Sequence, residues 1–258
     1  MSRMVDTRGQ IRPRRFAIAL VGAGVLTFAG CGGSGTKPTA SPPQTTTTAA
    51  ATPSLQGLTA DELLAKTKAA AQSATSVHVK GEIFDSGQSI TIDLKLAGVA
   101  RGAGTVIQDG GRIDLVRDGN DVYFKADEKT LNKTVAQGDA ENVKLIAGRY
   151  VKATASTSGF DSFAGLLDLV EFVKGVLSPD GKVSRVDGKD VSGVPTVGLK
   201  DTAATGGGVL YVAATGEPFP LRIEPASGPG GVTMSDWNTD ISITVPPADD
   251  VIDFGKLK

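Results

Sequence analysis

Between residues 89 and 96 the chain reads SITIDLKL, and every even position is apolar: Ile90, Ile92, Leu94 and Leu96. The residues between them are polar. A period of two is the mark of a strand in a sheet with one wet face. VHVKGEIF (77–84) repeats it with Val77, Val79 and Ile83, and DSGQ (85–88) joins the two runs as a hairpin turn. RIDLVRDGNDVYFKA (112–126) predicts a second hairpin. Ile113 and Leu115 precede the Asp118-Gly119 turn signal, and Val122 and Phe124 follow it. RYVKATA adds a strand at 149–154. KVSRVDGKDV, VPTVGLKD, GVLYVAATGEPFPLRIE and GGVTMSDWNTDISITV read as short strands broken by Asp-Gly, Gly-Gly, Thr-Gly and Gly-Pro signals. The Gly-rich runs at 102–104 and 228–231 read as turns between strands.

The period changes in three places. Over 60–74, Leu63, Leu64, Thr67, Ala70, Ala71 and Ala74 recur at helical spacing. Thr59 and Glu62 are spaced as a capping box, with Leu58 and Leu63 at the staple positions. GDAENVKLIAG predicts a helix at 138–147. FDSFAGLLDLVEFVKGVL predicts a longer one over 160–177, with Phe163, Leu166, Leu167, Val170, Val173 and Leu177 in one stripe. Phe160, Leu169, Phe172 and Val176 lie beside that stripe, and Pro179, Asp180 and Gly181 stop the helix. The fold class that follows is α+β. About ten sequential strands make an antiparallel meander, whose twist curls it into a half-barrel. The helices at 60–74 and 160–177 cover its concave face.

Ahead of this lies a different pattern. Residues 1–15 hold five arginines against Asp6, and residues 16–29 run apolar or small without a charge. That is the build of a secretory signal, and it is shorter than the roughly 20 residues of a spanning helix. It ends in FAGC, with Ala29 and Gly30 before Cys31, the sole cysteine. This resembles the lipobox of bacterial lipoproteins, with Phe28 where Leu is commoner. The resemblance implies that residues 1–30 are removed and that the Cys31 thiol carries a diacylglyceryl group, its new amine an acyl chain such as palmitate. Two or more acyl chains hold a protein stably at a membrane surface. Residues 32–57 are Gly, Ser, Thr, Pro and Ala with one charge and one large apolar residue, Leu55. They cannot bury enough surface to offset ordering. The organisation predicted is therefore a signal at 1–30, an acylated tether at 31–57, and a folded domain at 58–258.

Charge narrows the partners. Without residues 1–30, 22 basic and 27 acidic residues remain, a net charge of about −5. Nucleic-acid binding rests on clustered Lys and Arg, so no nucleic acid is expected.

Lipobox, Thr/Pro tether, helix, hairpins, central Leu/Phe helix and paired strands follow one another in an order similar to the actinobacterial lipoproteins of the LppX/LprG type, whose fold is LolA/LolB-like. VDGKDVSGVPTVGLKD (186–201), GVLYVAATGEPFPLRIE (208–224) and ITVPPADDVID (243–253) carry the closest local likeness. The resemblance implies an unclosed barrel enclosing an apolar cavity for acyl chains of lipids or glycolipids, carried across the envelope. It implies a monomer anchored at the outer face of the cytoplasmic membrane, a membrane lipid exporter as partner, and no enzymatic activity. The wall residues expected are Ile90, Ile92, Leu94, Val122 and Phe124 from the sheet, and Phe163, Leu166, Leu167, Val170 and Val173 from the covering helix. A filled core fits the same residues, in which case the domain is an envelope module binding a protein or glycan near Trp237. Both stay open at this point.

Catalytic patterns are sparse. The single histidine, His78, sits on the polar parity of the first strand, where a Ser-His-Asp site has no base to offer. One His and one acylated Cys cannot supply a zinc site, so no metal and no cofactor beyond the lipid on Cys31 are expected. DGND (118–121) has part of a calcium loop and lacks the remaining ligands.

Overall fold

The computed structural model describes Leu55 and residues 57–85, 88–134, 140–203 and 207–256. The signal segment, Cys31 and nearly all of the tether lie outside these residues. Helix α1 (Ala60–Ser73) starts as the spacing predicts. The Glu62 amide donates to Thr59 Oγ1 at 3.2 Å, and the Thr59 amide donates to the Glu62 carboxylate at 2.8 Å. Its buried face is Leu63, Thr67, Ala70 and Ala71.

Five strands follow: β1 (Ser76–Asp85), β2 (Gln88–Ala97), β3 (Arg101–Gln108), β4 (Gly111–Asp118) and β5 (Asp121–Ala126). Next come α2 (Glu128–Thr134), α3 (Ala140–Ile146), β6 (Tyr150–Thr154), α4 (Asp161–Leu166) and α5 (Leu169–Val176). The second half is β7 (Val183–Val186), β8 (Asp190–Val191), β9 (Val194–Asp201), β10 (Gly208–Ala213), β11 (Pro220–Pro225), β12 (Gly231–Ser235) and β13 (Val251–Asp253). The thirteen strands make one sheet in the order β13-β6-β5-β4-β3-β2-β1-β12-β11-β10-β9-β7, with β8 on β9. β13 and β7 end the path without pairing to each other, so the sheet is a curved, unclosed half-barrel. All pairings are antiparallel except β13 with β6.

The main core lies on the concave face. Val77, Val79, Ile92, Leu94, Leu96, Leu115, Val232 and Met234 from the sheet pack against Leu167, Leu169, Phe172, Val173 and Leu177. A second core at the β5–β6 end joins Val122, Val151, Leu131, Val143, Ile146 and Phe160.

Three expectations change, and one helix is added. The helix expected over 160–177 is two helices, because Asp168 leaves the helical path and caps α5, accepting from the amides of Val170 and Glu171 at 3.0 and 3.1 Å. Residues 102–104 are the middle of strand β3. There the glycines serve close approach: a Cβ on Gly102 would sit 2.9 Å from the Leu167 carbonyl oxygen, and one on Gly104 would sit 2.1 Å from that of Asp93. The alternating Ile241, Ile243 and Val245 form no strand. Asp236 and Asn238, at φ of 54° and 60°, turn the chain out of β12. The segment then straps the convex face, where Ile243 is buried with Val116 and Tyr123. Strands β4 and β5 beneath it are paired on both sides, so side-chain packing is what remains. Helix α2 was signalled by no clear period.

Candidate functional site

A single row of the sheet forms the floor of a hollow. Reading across the register, Ile92 on β2 lies opposite Gly81 on β1, Gly81 opposite Val232 on β12, Val232 opposite Ile223 on β11, Ile223 opposite Leu210 on β10, and Leu210 opposite Leu199 on β9. Side chains opposite one another share a face of the sheet, so these residues face the concave side together. Gly81 is the one member without a side chain. A Cβ there would meet the Gly231 carbonyl oxygen at 2.1 Å, so β1 and β12 approach too closely for any other residue.

Over this row the helices leave space. The hollow measures about 680 Å³, inside the range of roughly 300–1,000 Å³ typical of small-molecule sites. Its roof is Phe172, Val176 and Leu177 from the end of α5, with Leu64 from α1. Val183 closes one side, and Ile83 and Phe84, 42% and 45% exposed, stand at the mouth.

Of the ten wall residues read from the sequence, Ile92 lines this hollow. Leu94, Leu167 and Val173 are buried in the main core, and Ile90, Phe163 and Leu166 pack against its edge. Val122 lies in the second core, Phe124 packs against both cores, and Val170 is half-buried. The break at Asp168 accounts for the helix residues. It restarts the helical phase, so Leu169 and Val173 turn wholly to the core while Phe172, at the core's edge, and Val176, four apart, also face the hollow. The floor residues Leu199, Leu210, Ile223 and Val232 are apolar positions of predicted strands with no local mark that sets a wall residue apart from core. Their alignment with Ile92 depends on β1 pairing with β12, where Gly81 and Val232 are 151 residues apart in the chain.

The rim is polar. Glu82, Asp180, Asp201 and Glu224 border the hollow, and among the described lining residues there is no Lys, Arg or His. Asp201 accepts from the amides of Asp180, Gly181 and Ala203 at 2.9, 3.0 and 2.9 Å, which closes the loop after α5. Glu224 lies between Lys189 at 2.6 Å and Arg222 at 2.7 Å. Those hydrogen bonds hold its carboxyl below the usual range, so it stays ionised. The walls can therefore shelter apolar matter, while charge is confined to the entrance.

The other chemistry-bearing residues lie elsewhere. His78 is on the convex face, its Nε2 2.7 Å from Asp93 Oδ1 and its Nδ1 3.5 Å from Asp236 Oδ2. In the 118–121 turn, Asp118 pairs with Arg101 at 3.1 Å and Asp121 with Lys152 at 2.8 Å. Trp237 stacks on Phe219 with ring centroids 4.9 Å apart and donates its indole N–H to the Pro220 carbonyl at 3.0 Å. It is a packed, half-buried strand-end residue.

No protein-family model and no curated protein matches the chain. Among solved structures it is similar to LprF from Mycobacterium bovis, at 15% identity and a TM-score of 0.49, over 72% of this chain and 96% of that one. It is also similar to a LolA superfamily protein from Nitrosomonas europaea, at 10% identity and a TM-score of 0.23, over 74% of this chain and 96% of that one.

Proposed function

We propose that the protein is a lipid-anchored carrier that shelters the acyl chains of a lipid or glycolipid in the hollow between α5 and the sheet, and moves them within the cell envelope without chemical change. The observation that supports this is the hollow itself: about 680 Å³, with a floor of Ile92, Val232, Ile223, Leu210 and Leu199 and a roof of Phe172, Val176 and Leu177. Burial is the whole mechanism. Each methylene moved from water into such surroundings contributes about 0.8 kcal/mol, and a polar headgroup stays at the rim.

Acylation at Cys31 anchors the carrier to the outer face of the cytoplasmic membrane, and the tether, with a reach of about 25–30 Å by flexible-chain scaling, lets it collect lipid there. Cys31→Ser then gives a protein of full precursor length that is not acylated, and a mature, anchored product overturns the anchoring. The function is tested by mass spectrometry of organic extracts of the protein purified from an actinobacterial host. A defined acylated lipid near one per protein is the expected result. A folded protein that yields no lipid overturns the reading.

A further inference from the structure

We propose that Leu55, near the end of the tether, backs the end wall of the hollow and limits the length of acyl chain it accepts. This rests on the carrier reading above. Leu55 is 3% exposed and is buried with Leu63, Leu199 and Val212. Leu199 also lines the hollow, and so do Leu64, Val183 and Leu210, which pack against the same cluster. One layer of side chains thus has the hollow on one side and Leu55 on the other.

The way Leu55 is held differs from the rest of the wall. The floor and roof side chains belong to strands and helices or end them, whereas Leu55 lies in the segment before α1. Leu55 is fixed from outside its own segment by Arg185, whose Nη1 donates to the Leu55 carbonyl at 3.1 Å and to the Leu58 carbonyl at 2.7 Å. Gly57, at φ of 89°, turns the chain between those two carbonyls. Arg185 lies opposite Leu199 in the β7–β9 register, so the clamp sits at the edge of the hollow's floor. Leu55 therefore backs the wall from behind and can shrink or leave without breaking a rung of the sheet. Leu199 and Leu64 then relax into the vacated space, and the hollow lengthens toward β7. A longer acyl chain gains apolar surroundings for its terminal methylenes, whereas a shorter chain that already fits gains nothing.

The test uses the full chain, incubated with phosphatidylcholine vesicles that hold equal parts of dimyristoyl-, dipalmitoyl- and distearoylglycerol. The protein is re-isolated and its bound diacylglycerols are measured by mass spectrometry. Leu55→Ala is expected to raise the distearoyl-to-dimyristoyl ratio by about fourfold, the factor for one further buried methylene. Arg185→Gln, which frees the segment without removing a core side chain, is expected to raise it in the same direction and carries the test should Leu55→Ala fail to fold. Ratios equal to wild type in the folded variants overturn the role of Leu55 alone. A wild-type protein that takes up none of the three lipids overturns the carrier reading, and this inference with it.

Discussion

Asp168 holds four partners with two oxygens. One oxygen caps α5; the other accepts from the Ala100 amide at 3.0 Å and from Arg117 at 3.3 Å. The pair is largely buried, with side chains 14% and 8% exposed. Arg117 also donates to the Ala164 carbonyl, so the corner between α4 and α5 is tied to the β2–β3 turn through Asp168 and to β4 through Arg117. Removing an N-cap costs about 1 kcal/mol, and leaving a buried partner unpaired costs more. Asp168→Ala is expected to lose about 3 kcal/mol of stability in urea titration, moderated by the carbonyls Arg117 keeps. On the convex face Asp93 behaves differently. Its carboxyl is held below the usual range, first by the hydrogen bond to His78 and then by Lys80. A lowered carboxyl pKa stabilises the fold above the unfolded value, and that gain disappears as pH falls through the folded value. The stability difference between wild type and Asp93→Asn should be flat near neutrality and shrink below about pH 4. A difference that instead grows on acidification would refute this.

At the scale of elements, the deciding contact is β3 against the α4–α5 corner. Gly102 brings the strand under Leu167, which is fully buried. Gly102→Ala puts a methyl 2.9 Å from the Leu167 carbonyl oxygen. The backbone there cannot rotate away, so the corner must lift. Overpacking of this kind costs about 1–3 kcal/mol, read as a lower thermal midpoint. Elements with local signals were legible in the sequence. The capping box placed the start of α1, and the alternation of Ile90, Ile92, Leu94 and Leu96 placed β2 and its buried face. β3 was not legible, because Gly102, Ala103 and Gly104 signal turn locally while the tertiary need for thin backbone keeps them in a strand. The strap at 240–247 misled in the opposite sense. Its alternation is real, yet it serves packing on the convex face, since every strand beneath it is already paired.

For the whole molecule, the proposed function follows from where the helices fail to fill the half-barrel. A charged side chain on the roof should spoil the hollow while leaving the two cores intact. Val176 is half-buried in the last turn of α5, outside the fully buried set. Val176→Glu is expected to lower lipid recovered per protein by about tenfold or more, since an unpaired carboxylate among acyl chains costs several kcal/mol, with the circular dichroism spectrum unchanged. Equal lipid recovery would show that the hollow is not where lipid sits. By itself the sequence determined the α+β class, the antiparallel hairpins and both covering segments, because these rest on periodicity and neighbours within a few residues. The tertiary structure decided which apolar residues line space and which fill it. That choice depends on the β1–β12 pairing that aligns Ile92 with Leu199 across the sheet, and on the turn at Asp168 that rotates Phe172 and Val176 inward. The pairing is a long-range contact, and the turn is held by Ala100 and Arg117 from distant parts of the chain: the same leucine or valine is core or wall according to what the fold places opposite it.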